Sequence, residues 1–357
     1  MNHNSIDYAK ELEQKGKWNE SISLLKRLVK SLKPVPKANA LIMLGKVYKY
    51  KGEFDLSIKE FKEARLILVK QGLHGKANEC KLQEAINLQY LGKYDCCESI
   101  LHNLREFALQ SSDNYLLSHC YMQLGILHRI QYKYSTAIKE LKMCETIKKK
   151  INEIRDLAAT IEQIGIVHER LHHYDIAESM YKKSLELKKK ICYLRGIGTY
   201  YLRMGVLYRL LHKYSEARSF VSRSLGYRVV GDKIGIGSSL YELAKIEQDS
   251  GNNYLAEYLA FQSLAIREKI KDKRRLGNAC FLLSKLLFRN NKSEFKSYLG
   301  RAESLRRYVK QPIELIETLR FRLSSSVDNG CNTSRIKTQI GILYNSLDAE
   351  QKKYYKI

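Results

Sequence analysis

Lysine triplets stand at 148–150 and 188–190, forty residues apart, and Arg228, Arg267 and Lys70 fall in the same phase. Cations in such clusters attract phosphate and carboxylate groups. His128 and His168 share the forty-residue spacing and could ligate a metal or move a proton. They stand where Tyr48 and Tyr208 stand in other copies of the same pattern, so packing between helices is the reading. His172–His173 precedes Tyr174 with no carboxylate placed beside it by sequence. The eight cysteines lack metal spacing, and Cys96–Cys97 are neighbours that would face different ways on a helix. Cys97 and Cys144 fall at positions that other copies fill with small residues, as reduced core thiols do. A disulfide framework would imply secretion, which nothing else supports. No phosphate-binding glycine loop, nucleophile elbow or kinase motif is present. A non-catalytic chain without cofactor or metal is the expectation.

The pattern that positions these residues is a repeat. Gly45, Ala85, Gly125, Gly165, Gly205, Ala244 and Ser284 follow one another at 40, 40, 40, 40, 39 and 40 residues. From Gly165, an aromatic follows at Tyr174 and a small residue at Ala177, then Tyr181 and Ser184. In the segment from Arg195 to Tyr227, Leu202, Gly205 and Tyr208 share one helical face. A break at His212–Lys213 leads to Tyr214, and Ala217 and Ser224 lie on a second helix. Small residues at these positions let two helices approach, and the tyrosines fill the gaps between pairs. Breaks between pairs recur at Gly72, Asn152, Gly231–Asp232 and Lys271–Asp272. The first copy runs through Ala9, Trp18 and Ser21; the eighth is worn, with Phe295 at the small position before Ala302. A period of this length marks stacked supersecondary units.

Leu202, Gly205, Tyr208, Tyr214, Ala217 and Ser224, with their counterparts in about eight copies over roughly residues 3–308, resemble the tetratricopeptide repeat in its 40-residue form. That form occurs in kinesin light chains, Pins-type adaptors and bacterial Rap-type peptide receptors, and Leu-Arg-Gly-Ile-Gly at 194–198 looks most like the bacterial versions. The resemblance implies an all-α chain: an α-solenoid of about eight antiparallel helix pairs in a right-handed superhelix, with C-terminal capping helices. Residues 1–310 would form the array and 311–357 the capping helices and tail. It also implies that the first helix of each pair lines a concave groove, with Lys46, Lys49, Tyr50, Gln89, Tyr90, Arg129, Arg170, Arg209, Lys245 and Arg289 facing it. Met122, Glu162, Tyr241 and Asn278, three or six places before the small residue, would face it too. Such a lining suits an acidic or C-terminal peptide. At the far ends of the second helices, Lys148, Lys149, Lys150, Lys188, Lys189, Lys190, Arg228 and Arg267 would line up as a basic ridge.

The net charge is +25, from 63 basic and 38 acidic residues. Only three prolines occur: Pro34 and Pro36 are expected in the first inter-repeat loop, and Pro312 at the junction with the tail. In the tail, Glu314–Leu323 and Ile336–Leu347 read as helices, Ser324–Ser334 as a loop and Asp348–Lys356 as a polar end. Capping the last repeat is its expected role, with folding back into the groove as the alternative. No 18-residue apolar run and no apolar leader appear, which favours the cytoplasm.

Three functions fit. The first is an interaction scaffold holding a partner peptide, acidic in character, in the groove. The second is a peptide-responsive regulator of the Rap or quorum-receptor type. Those relatives carry an N-terminal effector domain, whereas here repeats begin within the first ten residues. The third is nucleic-acid binding by the basic ridge, which without aromatic platforms would be salt-sensitive and non-specific.

Overall fold

Left-handed residues at 52, 72, 92, 112, 132, 152, 172, 192 and 212 turn the chain back on itself at a constant interval. Three of these turns use glycine (Gly52, Gly72 and Gly92), as does a later one at Gly251, whereas Tyr132, His172 and Cys192 adopt the same conformation with a side chain. The computed structural model describes residues 2–14, 17–228, 232–270, 272–325 and 331–355. Between the turns lie eight antiparallel helix pairs: α1 (Asn2–Gln14) with α2 (Trp18–Val29), α3 (Pro34–Lys51) with α4 (Phe54–Lys70), α5 (His74–Tyr90) with α6 (Tyr94–Gln110), and α7 (Asn114–Ile130) with α8 (Tyr134–Lys150). They continue as α9 (Ile154–Arg170) with α10 (Tyr174–Lys190), α11 (Leu194–Leu210) with α12 (Tyr214–Gly226), α13 (Lys233–Asp249) with α14 (Asn253–Ile270), and α15 (Lys273–Arg289) with α16 (Phe295–Tyr308). No strand occurs among the described residues. This is an α-solenoid of tetratricopeptide type.

The repeated small residues do two jobs. At Gly205 a Cβ would fall 2.3 Å from Val221 Cγ2, so only a bare backbone lets α11 and α12 pack this closely. On the second helix, buried serines return a hydroxyl to the first: Ser57 Oγ donates to Gly45 O at 2.7 Å and Ser21 Oγ to Ala9 O at 2.9 Å. Ser184, Ser224 and Ser263 donate in the same way to Ala158, Gly198 and Gly237. The hydroxyls are thus buried without an unmet hydrogen bond.

Some local expectations shift. Pro34 and Pro36 lie inside the first turn of α3 and not in a loop, because proline needs no amide partner there. Asp232 and Asp272 act as N-caps of α13 and α15, accepting from Gly235 N and Arg275 N. Gly231 and Lys271 lie outside the described residues, as does 326–330 of the expected tail loop.

The tail holds three helices: α17 (Pro312–Ser324), α18 (Cys331–Asn345) and α19 (Ala349–Tyr354). Most of the segment read as a polar end folds as α19, where Asp348 and Gln351 form a reciprocal capping box. α17 packs on α16 and α18, and Ile313, Ile316 and Leu347 form a core with Tyr132, from the turn between α7 and α8. Glu350 accepts from Thr136 Oγ1 at 3.2 Å and from the Ser135 amide, while Gln351 Nε2 donates to Gln131 O at 2.8 Å. The tail therefore covers the last repeat and also bridges to the fourth.

That bridge belongs to a wider closure. The turn at Gly52 rests against Ile270, and the turn at Gly92 against Val309. Lys310 pairs with Asp95 at 3.0 Å, and Lys233 lies over the Trp18 ring at 5.5 Å. One superhelical turn thus sits on the next.

Candidate functional site

The inner faces of α7, α9, α11, α13 and α15 bring together cations distant in sequence. Arg129, Arg170, Arg209 and Lys245 come near one another, joined by three residues that repeat phase did not single out: Arg203, Glu242 and Arg274. Burial, then Arg274, Arg203 and Arg170, push the Arg129 guanidinium down to about 9. Burial alone would raise the Glu242 carboxyl, but Lys245, Arg209, Arg170 and Arg203 hold it below the ordinary carboxylate range. Glu242 lies 3.6 Å from Arg209 Nε and 3.5 Å from Lys245 Nζ, and Arg209 Nη1 reaches Asp249 at 2.7 Å. Against burial, Glu169, Tyr132, Tyr134 and Glu242 hold the Arg170 guanidinium above its ordinary value. The Nε atoms of Arg129 and Arg203 are buried and have no hydrogen-bond partner.

The N-terminal part of the expected lining is quieter. Lys46 is exposed. Lys49 donates to Gln83 Oε1 at 2.7 Å, and burial pushes its ammonium down to about 8. Arg195 lies over the Tyr50 ring at 5.9 Å, and Tyr90 stacks on Phe54 at 4.8 Å. Gln89 is half-buried, and Met122 Sδ sits 3.8 Å from Thr160 Oγ1. At the other end Arg289 is exposed.

Three expected lining residues have other employment. Glu162 is buried against Lys188, Tyr241 lies beneath Arg267 with the guanidinium 4.1 Å from its ring, and Asn278 Oδ1 accepts from Arg306 Nη2 at 3.2 Å. The cause is geometric. Three or six places before the small residue, the first helix of a pair faces the last turn of the second, where a cation stands in each of these repeats.

The basic ridge is corrected on the same ground. Lys148, Lys188 and Arg267 are buried, and the Arg228 side chain is almost wholly enclosed. They form, with Arg306, an internal column. Lys148 Nζ pairs with Asp156 at 2.9 Å, Lys188 with Glu162, and Arg228 Nη1 with Asp232 at 3.2 Å. Arg267 Nη1 donates to Arg275 O at 2.7 Å, and Arg306 Nη1 to Thr318 Oγ1 at 2.6 Å. Lys149, Lys150, Lys189 and Lys190 remain exposed. Neighbours on a helix point about 100° apart, so a Lys-Lys-Lys run cannot lie wholly on one edge.

His128 is buried with Nε2 3.3 Å from Glu98 Oε1, and His168 Nδ1 lies 3.4 Å from His173 Nδ1. Cys97 and Cys144 are buried, and burial pushes their thiols up to about 12 and 11. No group of three or more metal-ligating side chains occurs among the described residues. A cavity of about 430 Å³ opens between α16, α17 and α18, lined by Glu303, Arg307, Arg322 and Arg335 among others.

Residues 156–228 match the tetratricopeptide repeat family model, and no curated protein sequence matches the chain. Many solved structures are similar, three of them as follows. A Rap protein complexed with Competence and Sporulation Factor shares 14% identity at a TM-score of 0.65, over 88% of this chain and 87% of that one. NprR in complex with its cognate peptide NprX shares 15% identity at 0.59, over 85% and 96%. The apo form of RapI shares 17% identity at 0.57, over 76% and 98%. At these identities the similarity establishes a common fold.

Proposed function

We propose that this tetratricopeptide-repeat superhelix is a non-catalytic scaffold that holds a partner peptide, acidic in character, in its concave groove. The observation that carries the reading is the convergence of Arg129, Arg170, Arg203, Arg209, Lys245 and Arg274, with Glu169, Glu242, Asp249 and Asp272 neutralising only part of that charge. Peptide carboxylates would complete the neutralisation through charge-assisted hydrogen bonds. Rap and NprR are similar in fold; the one structure is a complex with Competence and Sporulation Factor and the other a complex with a cognate peptide. Free cysteines at 80, 97, 120, 144 and 280, all buried, fit a reducing cytoplasm.

The test is selection from a random peptide library. Wild type is compared with a groove variant (Arg129→Glu, Arg170→Glu, Arg209→Glu) and with a surface variant in which Lys149, Lys150, Lys189 and Lys190 become glutamate. Circular dichroism checks that each folds. The reading expects acidic peptides to be retained by wild type and the surface variant and lost from the groove variant. Retention by all three would sink it. Capture of nucleic acid by wild type and not by the surface variant would instead favour the exposed lysines as a binding surface.

A second reading, a Rap-type regulator switched by its peptide, draws on the contact between successive superhelical turns. A ligand in the groove would act on the pitch of the superhelix, and a change in small-angle scattering on peptide addition separates the regulator from a passive scaffold.

A further inference from the structure

The cavity of about 430 Å³ between α16, α17 and α18 is lined by none of the inner-surface cations and carries a charge of its own. Arg307, Arg322 and Arg335 line it with a single carboxylate, Glu303; three cations against one anion leave two positive charges uncompensated. Glu303 is engaged within the cluster. Its Oε1 accepts from Arg307 Nε at 3.1 Å and from Arg307 Nη2 at 2.8 Å, and Arg307 Nη2 also donates to Gln339 Oε1 at 2.9 Å. Arg322 is poorly satisfied. Its Nη2 lies 3.1 Å from Glu303 Oε2, yet that oxygen and Arg322 Nε are both buried without a hydrogen-bond partner. Arg335, exposed on α18, has no ion pair among the described residues. An unmet buried donor beside uncompensated charge disfavours the fold until an acceptor joins it.

We propose that this cavity binds an organic phosphomonoester, at a site separate from the peptide groove. Near neutral pH such an ester carries a charge of about −1.5 to −2 and three strong acceptor oxygens. That charge matches the excess in the lining, and guanidinium forks match phosphate in shape. The organic part is read from the remaining wall. Leu319 and Ile336 belong to the core that α17 and α18 share around Leu315, and both also line the cavity. Its volume falls within the range of roughly 300–1,000 Å³ typical of small-molecule sites, more than a phosphate group fills. The three arginines come from three helices, Arg307 from α16, Arg322 from α17 and Arg335 from α18. A ligand that gathers them fastens the tail to the last repeat. A free small ester and a phosphorylated side chain share this chemistry.

Three substitutions separate binding from support of the fold. Arg322→Gln removes the cation with the buried donor and also its contact with Glu303, so stability and binding fall together. Arg335 is exposed and unpaired, so Arg335→Gln weakens the ester while the unfolding midpoint of the unliganded protein stays in place. Glu303→Gln takes the one like charge away from the ligand and tightens binding by about tenfold, although an ion pair is lost. A purely structural cluster would lose stability in that variant and gain no ligand.

The experiment titrates the full chain calorimetrically with phenyl phosphate, inorganic phosphate, phenyl sulfate and a short peptide carrying a central phosphoserine, with unfolding midpoints measured alongside. Phenyl phosphate is expected to bind about tenfold tighter than inorganic phosphate, through the apolar wall. It is expected to exceed the singly charged phenyl sulfate by about tenfold as well. Arg322→Gln and Arg335→Gln should each weaken it by about tenfold, while Lys190→Gln, exposed at the end of α10, leaves it unchanged. Tighter binding of the phosphopeptide, with the same sensitivity to Arg335→Gln, would place the ester on a protein partner; the reverse order assigns a free small molecule. Inorganic phosphate or phenyl sulfate equal to phenyl phosphate would overturn the ester assignment. No binding of phenyl phosphate at millimolar concentration, or binding indifferent to all three cavity substitutions, would overturn the site.

Discussion

The carbonyl oxygen of Ile270 lies so close to Gly52 that a Cβ added to the glycine would fall 1.2 Å from it. Gly92, in the next equivalent turn, would place a Cβ 2.6 Å from Val309 Cα. In the turn after that, Tyr132 replaces glycine and packs among Ile313, Ile316 and Leu347 of the tail. These three turns form the seam where one superhelical turn rests on the next.

Gly72 isolates the cost of that seam. Its φ of +70° resembles the +78° of Gly52, but nothing lies within 4 Å of its added Cβ. Gly72→Ala is expected to cost about 1–2 kcal/mol, the left-handed penalty alone. Gly52→Ala adds an overpacking term of about 1–3 kcal/mol or forces the turns apart. Urea unfolding gives the difference and small-angle scattering the expansion. Equal losses for the two variants would show that the seam bears no load.

The Lys188–Glu162 pair is buried on both sides. Lys188→Met leaves a carboxylate buried without its cation and is expected to cost about 3–5 kcal/mol. Lys188→Met with Glu162→Leu removes both charges and is expected to recover most of that loss. Equilibrium unfolding of the three proteins checks it. Additive losses would mean that the pair is not coupled.

His119 sets an acid sensitivity. Burial first, then Lys148, pushes its imidazole down to about 4, against an ordinary 6.5, with Asp156 only partly opposing. Below pH 6.5 the unfolded chain takes up a proton that the folded protein refuses. The stability contribution is therefore fully present above pH 6.5 and is lost as pH falls toward 4. His119→Gln should flatten the stability–pH curve in that window. An unchanged slope would refute the assignment.

Glu350 places a carboxylate on the Ser135 amide in the first turn of α8, where the helix dipole favours negative charge. Glu350→Gln is expected to cost about 0.5–1 kcal/mol through that term. Deleting residues 348–357 also removes the Lys133–Asp348 pair and the Gln351 bond. Amide exchange in the turn between α7 and α8 should then rise by about tenfold or more, while the turn between α5 and α6 keeps its protection. Unaltered exchange at residues 131–136 would show that the tail does not hold the fourth repeat.

Much of the array was legible because its contacts are short in sequence. Gly205 meets Val221, and Ser224 Oγ donates to Gly198 O at 2.7 Å, all within one helix pair, so the same residue types recur wherever the contact recurs. The cation cluster was legible in part. Arg129, Arg170, Arg209 and Lys245 follow the repeat phase, and the structure gathers them. Arg203 stands two places before its small residue, an offset the phase argument did not use. Arg274 carries no local signal at all, since its neighbours belong to helices far earlier in the chain.

The lysine triplets show the limit from the other side. Sequence placed Lys148, Lys149 and Lys150 on one helix end but could not say which of them points inward. That depends on Asp156 and His119 from two different first helices, which meet only when the repeats stack. The sequence alone determined the helix pairs, their turns and the small-residue column, because each is fixed by interactions inside a repeat or with its neighbour. Only the tertiary structure decided which cations are enclosed, which arginines face one another and where Gly52 meets Ile270. Those relationships depend on the small rotation between successive repeats, which accumulates along the array and appears in no single copy of the pattern.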